Sequence, residues 1–223
     1  MMIEEHVKHL HDLLPPDVVL VAVSKFQSTD LIQRAYNAGQ RVFGENRSRE
    51  MAEKIPLLPK DIEWHFIGRL QTNKVKEVVG YAKLIQSVDR DRLLRAIQTQ
   101  AERLGVVQDV LLQVHIAQEE TKQGYLPEEV LQVDKDMYPN VTICGVMGMA
   151  TFTDDKQVVA REFRQLRQLF DTLKQGRFAD NPAFVHCSMG MTGDYETALE
   201  QGSTMLRIGS AIFPPRATGL HGL

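Results

Sequence analysis

Two cysteines in 223 residues are too few for a disulfide framework, and they stand apart: Cys144 lies in an apolar run, Cys187 beside His186. The chain therefore reads as a protein of a reducing compartment. It also lacks a surplus of positive charge. The 26 Lys and Arg are outnumbered by 29 Asp and Glu, for a net charge of −3, so neither nucleic acid nor an acidic membrane is an expected partner. No apolar run approaches the length of a membrane span. The start, MMIEEHVKHLHDLL, has neither the basic region nor the apolar core of a secretory leader. These absences predict a soluble, cytoplasmic protein. Low-complexity tracts, linker-like stretches and residue-level repeats are missing as well. So are a Walker or Rossmann glycine fingerprint, a Ser/His/Asp motif and a Cys/His set with metal-ligand spacing, and no metal is expected.

What is present is an alternation of short apolar runs and amphipathic stretches. Strands are predicted at 18–23, 41–43, 62–66, 83–86, 107–114, 141–145, 183–187 and 205–208. The first, VVLVAV, is apolar on both faces, as a buried parallel strand should be. Helices fit 29–38, 46–54, 71–79, 89–104, 127–137, 156–173 and 194–201, with Gly39, Gly105 and Gly202 as stops. A further helix at 3–14 precedes the first strand. Eight strands alternating with helices predict an α/β fold, a TIM (β/α)8 barrel at about 18–213, with 1–223 as one domain. The tail FPPRATGLHGL is short and proline-broken, so no full eighth helix is expected.

In such a barrel the active site lies at the C-terminal ends of the strands. Lys25 follows the first strand, where partial desolvation would free its amine as a nucleophile for Schiff-base chemistry. It also reads as an ordinary lysine reaching to the rim. The segment SMGMTG at 188–193 and the pair Gly209-Ser210 follow the seventh and eighth strands, where barrels often bind phosphate, and they equally read as two tight turns. Arg207 sits inside the apolar strand MLRI and needs partners, for which Asp89 and Asp194 are candidates. His65 is expected to be packed or hydrogen-bonded, His6, His9 and His11 to be exposed, and Met137, Met147, Met149, Met189 and Met191 to serve packing.

Taken together, VAVSK at 21–25, FGEN at 43–46, WHFIGRLQTNK at 64–74, QSVDR at 86–90, KQGY at 122–125 and SMGMTGDYETALEQGSTMLRIGSAIF at 188–213 resemble the pyridoxal-phosphate homeostasis proteins. That family is related to the N-terminal barrel of alanine racemase, and the chain is most similar in character to a cyanobacterial member. The resemblance implies a fold-type-III barrel, without a second β domain, that binds pyridoxal 5′-phosphate (PLP). It implies that Lys25 carries PLP as a Schiff base and that Arg207 faces the pyridine nitrogen. Ser188, Gly209 and Ser210 would form the phosphate cup, joined by Thr192, and Asn46 would lie near the cofactor. The chain departs from common family features at Arg47-Ser48-Arg49, Gln86, His115 and Pro214.

Three functions compete at this point. The first is a PLP holder in intracellular vitamin B6 homeostasis and amino- and keto-acid balance, with little turnover. It would be a monomer whose partners are PLP and either apo PLP enzymes or a regulatory protein. The second is a PLP-dependent amino-acid racemase, which would need a second base that none of the five tyrosines obviously supplies. The third is a barrel for another phosphorylated ligand.

Overall fold

The computed structural model describes residues 2–119 and 123–214. Lys122 of the KQGY motif and the tail from 215 onward, including the question of an eighth helix, lie outside the described residues. Eight parallel strands close into a barrel in chain order: β1 (Val19–Val23), β2 (Val42–Glu45), β3 (Glu63–Phe66), β4 (Leu84–Val88), β5 (Gln108–Val114), β6 (Val141–Gly148), β7 (His186–Met191) and β8 (Met205–Ile208). Closure is made by β1 on β8, with Val19 opposite Met205 and Val21 opposite Arg207. Helices α1 (Ile3–Leu13), α2 (Thr29–Asn37), α3 (Ser48–Lys54), α4 (Asp91–Leu104), α5 (Pro127–Val130), α6 (Lys156–Gln175) and α7 (Tyr195–Glu200) accompany the strands.

Local chemistry sets the element ends. The Ser28 hydroxyl accepts from Leu31 N at the start of α2, and the Asp155 carboxylate accepts from Gln157 N at 2.9 Å at the start of α6. Each satisfies an orphan amide of the first turn. Two predicted helices differ from the observed chain. The stretch 71–79 is a 3-10 helix, Thr72–Glu77, in which Lys74 N bonds the Gln71 carbonyl and Val78 N the Val75 carbonyl, three residues back in each case. The stretch 127–137 breaks after α5, because the Asp134 carboxylate accepts from Asp136 N and starts a separate 3-10 turn.

The core has two compartments. The larger packs strands against helices and includes the stacked rings of Phe170, Phe178 and Phe184. The smaller fills the barrel interior with Val21, Leu84, Leu111, Cys144, Met147 and Met205. Strand alternation then points the next inward residues, such as Gln86 and Arg207, toward the C-terminal mouth. Both cysteines are free and buried. Among the described residues, no helix is long and apolar enough to cross a membrane.

Strand β7 begins later and runs further than the sequence pattern predicts, ending at Met191 rather than 187. Its neighbour β6 continues to Gly148, and Gly145 lies directly beside His186 with φ +147°. A Cβ at Gly145 would stand 1.8 Å from the His186 carbonyl oxygen, so only glycine fits this close approach. Gly145→Ala is expected to cost more than about 3 kcal/mol, through strain and a displaced β6–β7 pair, as read by urea unfolding.

Candidate functional site

A cavity of about 420 Å3 opens at the C-terminal ends of the strands and is lined by Lys25, Asn46, Thr192, Arg207, Gly209 and Ser210. Six of the seven residues singled out from sequence therefore meet in one place. Ile67, Met149 and Met191 supply apolar wall, so Met149 and Met191 border the site instead of serving the core alone. Met137 does not pack; it is exposed. The loops after β7 and β8 touch where Gly209 N approaches the Thr192 hydroxyl at 3.4 Å. Lys25 itself is half-buried. Asn46 Oδ1 is buried and meets no hydrogen-bond donor. A larger groove of about 610 Å3 lies at the opposite end of the barrel beside Glu63, Lys83 and Gln108, where strands begin. It has no glycine loop after a strand, and that end of a barrel reads as stability.

Ser188 is the exception. Because β7 extends to Met191, Ser188 lies within the strand, is fully buried and is not among the residues that line the cavity. Its hydroxyl accepts from an Arg207 terminal nitrogen at 2.6 Å and donates to Gln86 Oε1 at 2.7 Å. The other Arg207 terminal nitrogen donates to the Gly148 carbonyl at 2.9 Å. Neither Asp89 nor Asp194 bonds to Arg207; Asp89 pairs with Arg90, and Asp194 accepts from Met191 N. Gln86 passes the chain on, donating from Nε2 to His65 Nδ1 at 3.0 Å. Direction is fixed at one end, since a guanidinium only donates. His65 Nδ1 must then accept, and burial holds this imidazole neutral, with its pKa lowered to about 3. Burial also lowers Arg207, to about 10, which leaves it charged at neutral pH.

Gln86 and His65 are site-supporting residues that sequence reasoning did not connect to Arg207. The available signal was a polar side chain at an inward position of an otherwise apolar strand, as in LIQSV. On α1, His9 and His11 are exposed as expected, whereas His6 is half-buried. His6 Nδ1 meets the Ile212 carbonyl at 3.1 Å, and His11 Nε2 meets Gln40 Oε1 at 3.0 Å.

The alanine racemase N-terminal domain family matches residues 2–216. The pyridoxal phosphate homeostasis protein of Aquifex aeolicus is 42% identical over 201 residues, covering 88% of this chain and 86% of that protein. The chain belongs to the alanine racemase N-terminal domain family. Its likeness to solved members is close along the whole barrel. Synechococcus elongatus PipY, solved without PLP, superposes with a TM-score of 0.89 at 33% identity, covering 95% of this chain and all of that one. PipY with PLP bound gives 0.85 at 32% identity over the same shares. Clostridium difficile alanine racemase, at 13% identity and a TM-score of 0.76, shares the fold; 97% of this chain matches 60% of that one.

The neutral His65 links stability to pH. Unfolded histidine titrates near 6.5 and the native group near 3, so between these values only the unfolded chain takes up this proton. The contribution is complete above pH 6.5 and is lost as pH falls toward 3. His65→Gln cannot charge, so its stability relative to native protein should rise as pH is lowered through that window. Chemical denaturation at a series of pH values reads the difference, with a limiting slope of about 1.4 kcal/mol per pH unit.

Proposed function

We propose that this protein holds PLP reversibly through the Lys25 amine and serves intracellular vitamin B6 homeostasis, with little turnover of amino acids. One observation carries the reading: a lysine amine, two adjoining loops after β7 and β8, and a buried guanidinium line one cavity at the mouth of a barrel. The PLP-bound state of PipY and the name of the Aquifex relative support it.

The donor set suits the cofactor. PLP supplies an aldehyde that condenses with a primary amine, releasing one water. Lys25 provides that amine from the end of β1. Thr192, Gly209 and Ser210 take the phosphate with hydroxyl and backbone N–H groups, the arrangement that binds anions where barrel loops converge. Asn46 Oδ1, buried without a donor, accepts from a ligand hydroxyl. Arg207, held by Ser188 and Gly148, donates toward the ring nitrogen. Apolar wall from Ile67, Met149 and Met191 covers the ring. The barrel acts as a single cytoplasmic unit, a monomer that hands PLP to apo enzymes or to a regulatory protein.

Weak turnover follows from two features. A permanently charged donor at the ring nitrogen favours the unprotonated pyridine, which is a poorer electron sink. Racemisation also needs a base on each face, and none of Tyr36, Tyr81, Tyr125, Tyr138 and Tyr195 lines the cavity.

Loaded protein treated with borohydride should carry the reduced pyridoxyl label on the Lys25 peptide; a label on Lys74 would move the site. Replacing Thr192 and Ser210 together with Ala should weaken PLP by about 1.5–3 kcal/mol per lost contact while leaving pyridoxal almost unaffected. Equal losses for both ligands would displace the anion site. Alanine racemisation should be negligible beside measurable release of PLP. Racemisation at ordinary enzyme rates, abolished by Lys25→Ala, would transfer the protein to the enzyme class.

A further inference from the structure

Lys25 occupies the second position of a tight turn that closes β1. The Ser24 carbonyl accepts from Gln27 N at 3.0 Å, and Phe26, the third residue, has φ +63°. That is the pattern of a type II turn, whose third position normally takes glycine or asparagine. Phe26 is the one non-glycine residue with positive φ among the described residues. A bulky residue held there is strained, and strain of this kind persists only where surrounding structure over-determines it.

The surrounding structure is a buried ammonium. Lys54, the last residue of α3, is only 6% exposed. Its amine donates to the Ser24 carbonyl at 2.9 Å, to Glu45 Oε1 at 2.7 Å and to Glu50 Oε1 at 2.7 Å, which uses all three of its hydrogens. The same Glu50 oxygen accepts the Phe26 N–H. The same Glu45 oxygen accepts the Ser24 hydroxyl at 2.6 Å. One ammonium thus grips the residue before Lys25 through its carbonyl and, by way of Glu50, the residue after it through its amide. From outside, the Arg47 guanidinium covers the Phe26 ring at 4.8 Å.

Stability alone does not account for this cluster. Glu45 is fully buried, and its Oε2 has no partner. Buried ion pairs are commonly no better for stability than apolar residues of similar size, and an unmatched oxygen adds cost. What the cluster supplies is a defined geometry around a single side chain.

We propose that Lys54 and Glu50 are positioning residues that lock the strained Ser24–Gln27 turn and so aim the Lys25 amine into the cavity. The proposal rests on the reading of Lys25 as the covalent attachment point. It touches neither the phosphate loops nor Arg207.

The test is a PLP titration of full-length protein, with borohydride reduction and quantification of the modified Lys25 peptide by mass, on samples shown to be folded by circular dichroism. Glu50→Ala should need about tenfold more PLP for half-modification, the loss expected when a strained turn relaxes. Glu50→Gln keeps an oxygen for the Phe26 N–H and should remain near native. Phe26→Gly added to Glu50→Ala should restore most of the loss, because glycine adopts the left-handed conformation without strain. If Glu50→Ala does not fold, Glu50→Asp replaces it. It keeps a charge for Lys54 but falls one methylene short of the turn, and it must show the same loss. Native PLP requirement in Glu50→Ala, or failure of Phe26→Gly to restore it, overturns positioning and leaves the cluster as packing. If native protein modifies no Lys25 at any PLP concentration, the attachment reading itself falls, and this proposal with it.

Discussion

A guanidinium cannot be neutralised by burial at physiological pH, so a barrel that encloses one must build donors' partners around it. Arg207 sets this requirement here. Its hydrogen bonds reach β7 through Ser188 and β6 through the Gly148 carbonyl, then continue by way of Gln86 on β4 to His65 on β3. Five of the eight strands are thereby tied to one another inside the barrel. A slip of one residue in β8 would turn Arg207 outward and bring an apolar neighbour into the polar layer. Keeping that charge satisfied ties the register of β8 to those of β7 and β6.

The two buried cations divide the site between them. Arg207 organises the interior wall and the far side of the cavity from below. Lys54 organises the turn carrying Lys25 from the side of α3. Neither depends on the other, since Arg207 is satisfied by neutral groups and Lys54 by carboxylates. Flexibility is left to the apolar rim, where Met149 and Met191 border the cavity. Methionine there offers an adaptable wall over a rigid base.

Much of this was readable in the sequence. The alternation of apolar runs with amphipathic stretches identified eight strands, and the last, Met205–Ile208, matches the predicted span residue for residue. The glycine and hydroxyl residues after the strands led to the cavity, because a barrel collects its loops at one end. The run Ser188–Met191 was misread because small and hydroxyl residues look like a loop. In the structure they are strand: Ser188 pairs with Met147 of β6 and Met205 of β8, and Met191 pairs with Arg207 of β8. The turn at Phe26 had no signal at all: nothing in the residue type announces positive φ, and its cause lies on α3, nearly thirty positions away. Long-range hydrogen bonds of this kind are set by tertiary approach and leave no local pattern.

Closure of the barrel joins its first strand to its last, and His6 on α1 also meets the carbonyl of Ile212 near the far end of the described chain. Lys25 therefore becomes the neighbour of Gly209 and Ser210 only after almost the whole sequence exists. On the ribosome, where chains emerge at about 5–20 residues per second, Lys25 is made many seconds before the residues that face it across the cavity. The cavity is thus a property of the finished barrel alone, since its two walls come from opposite ends of the chain.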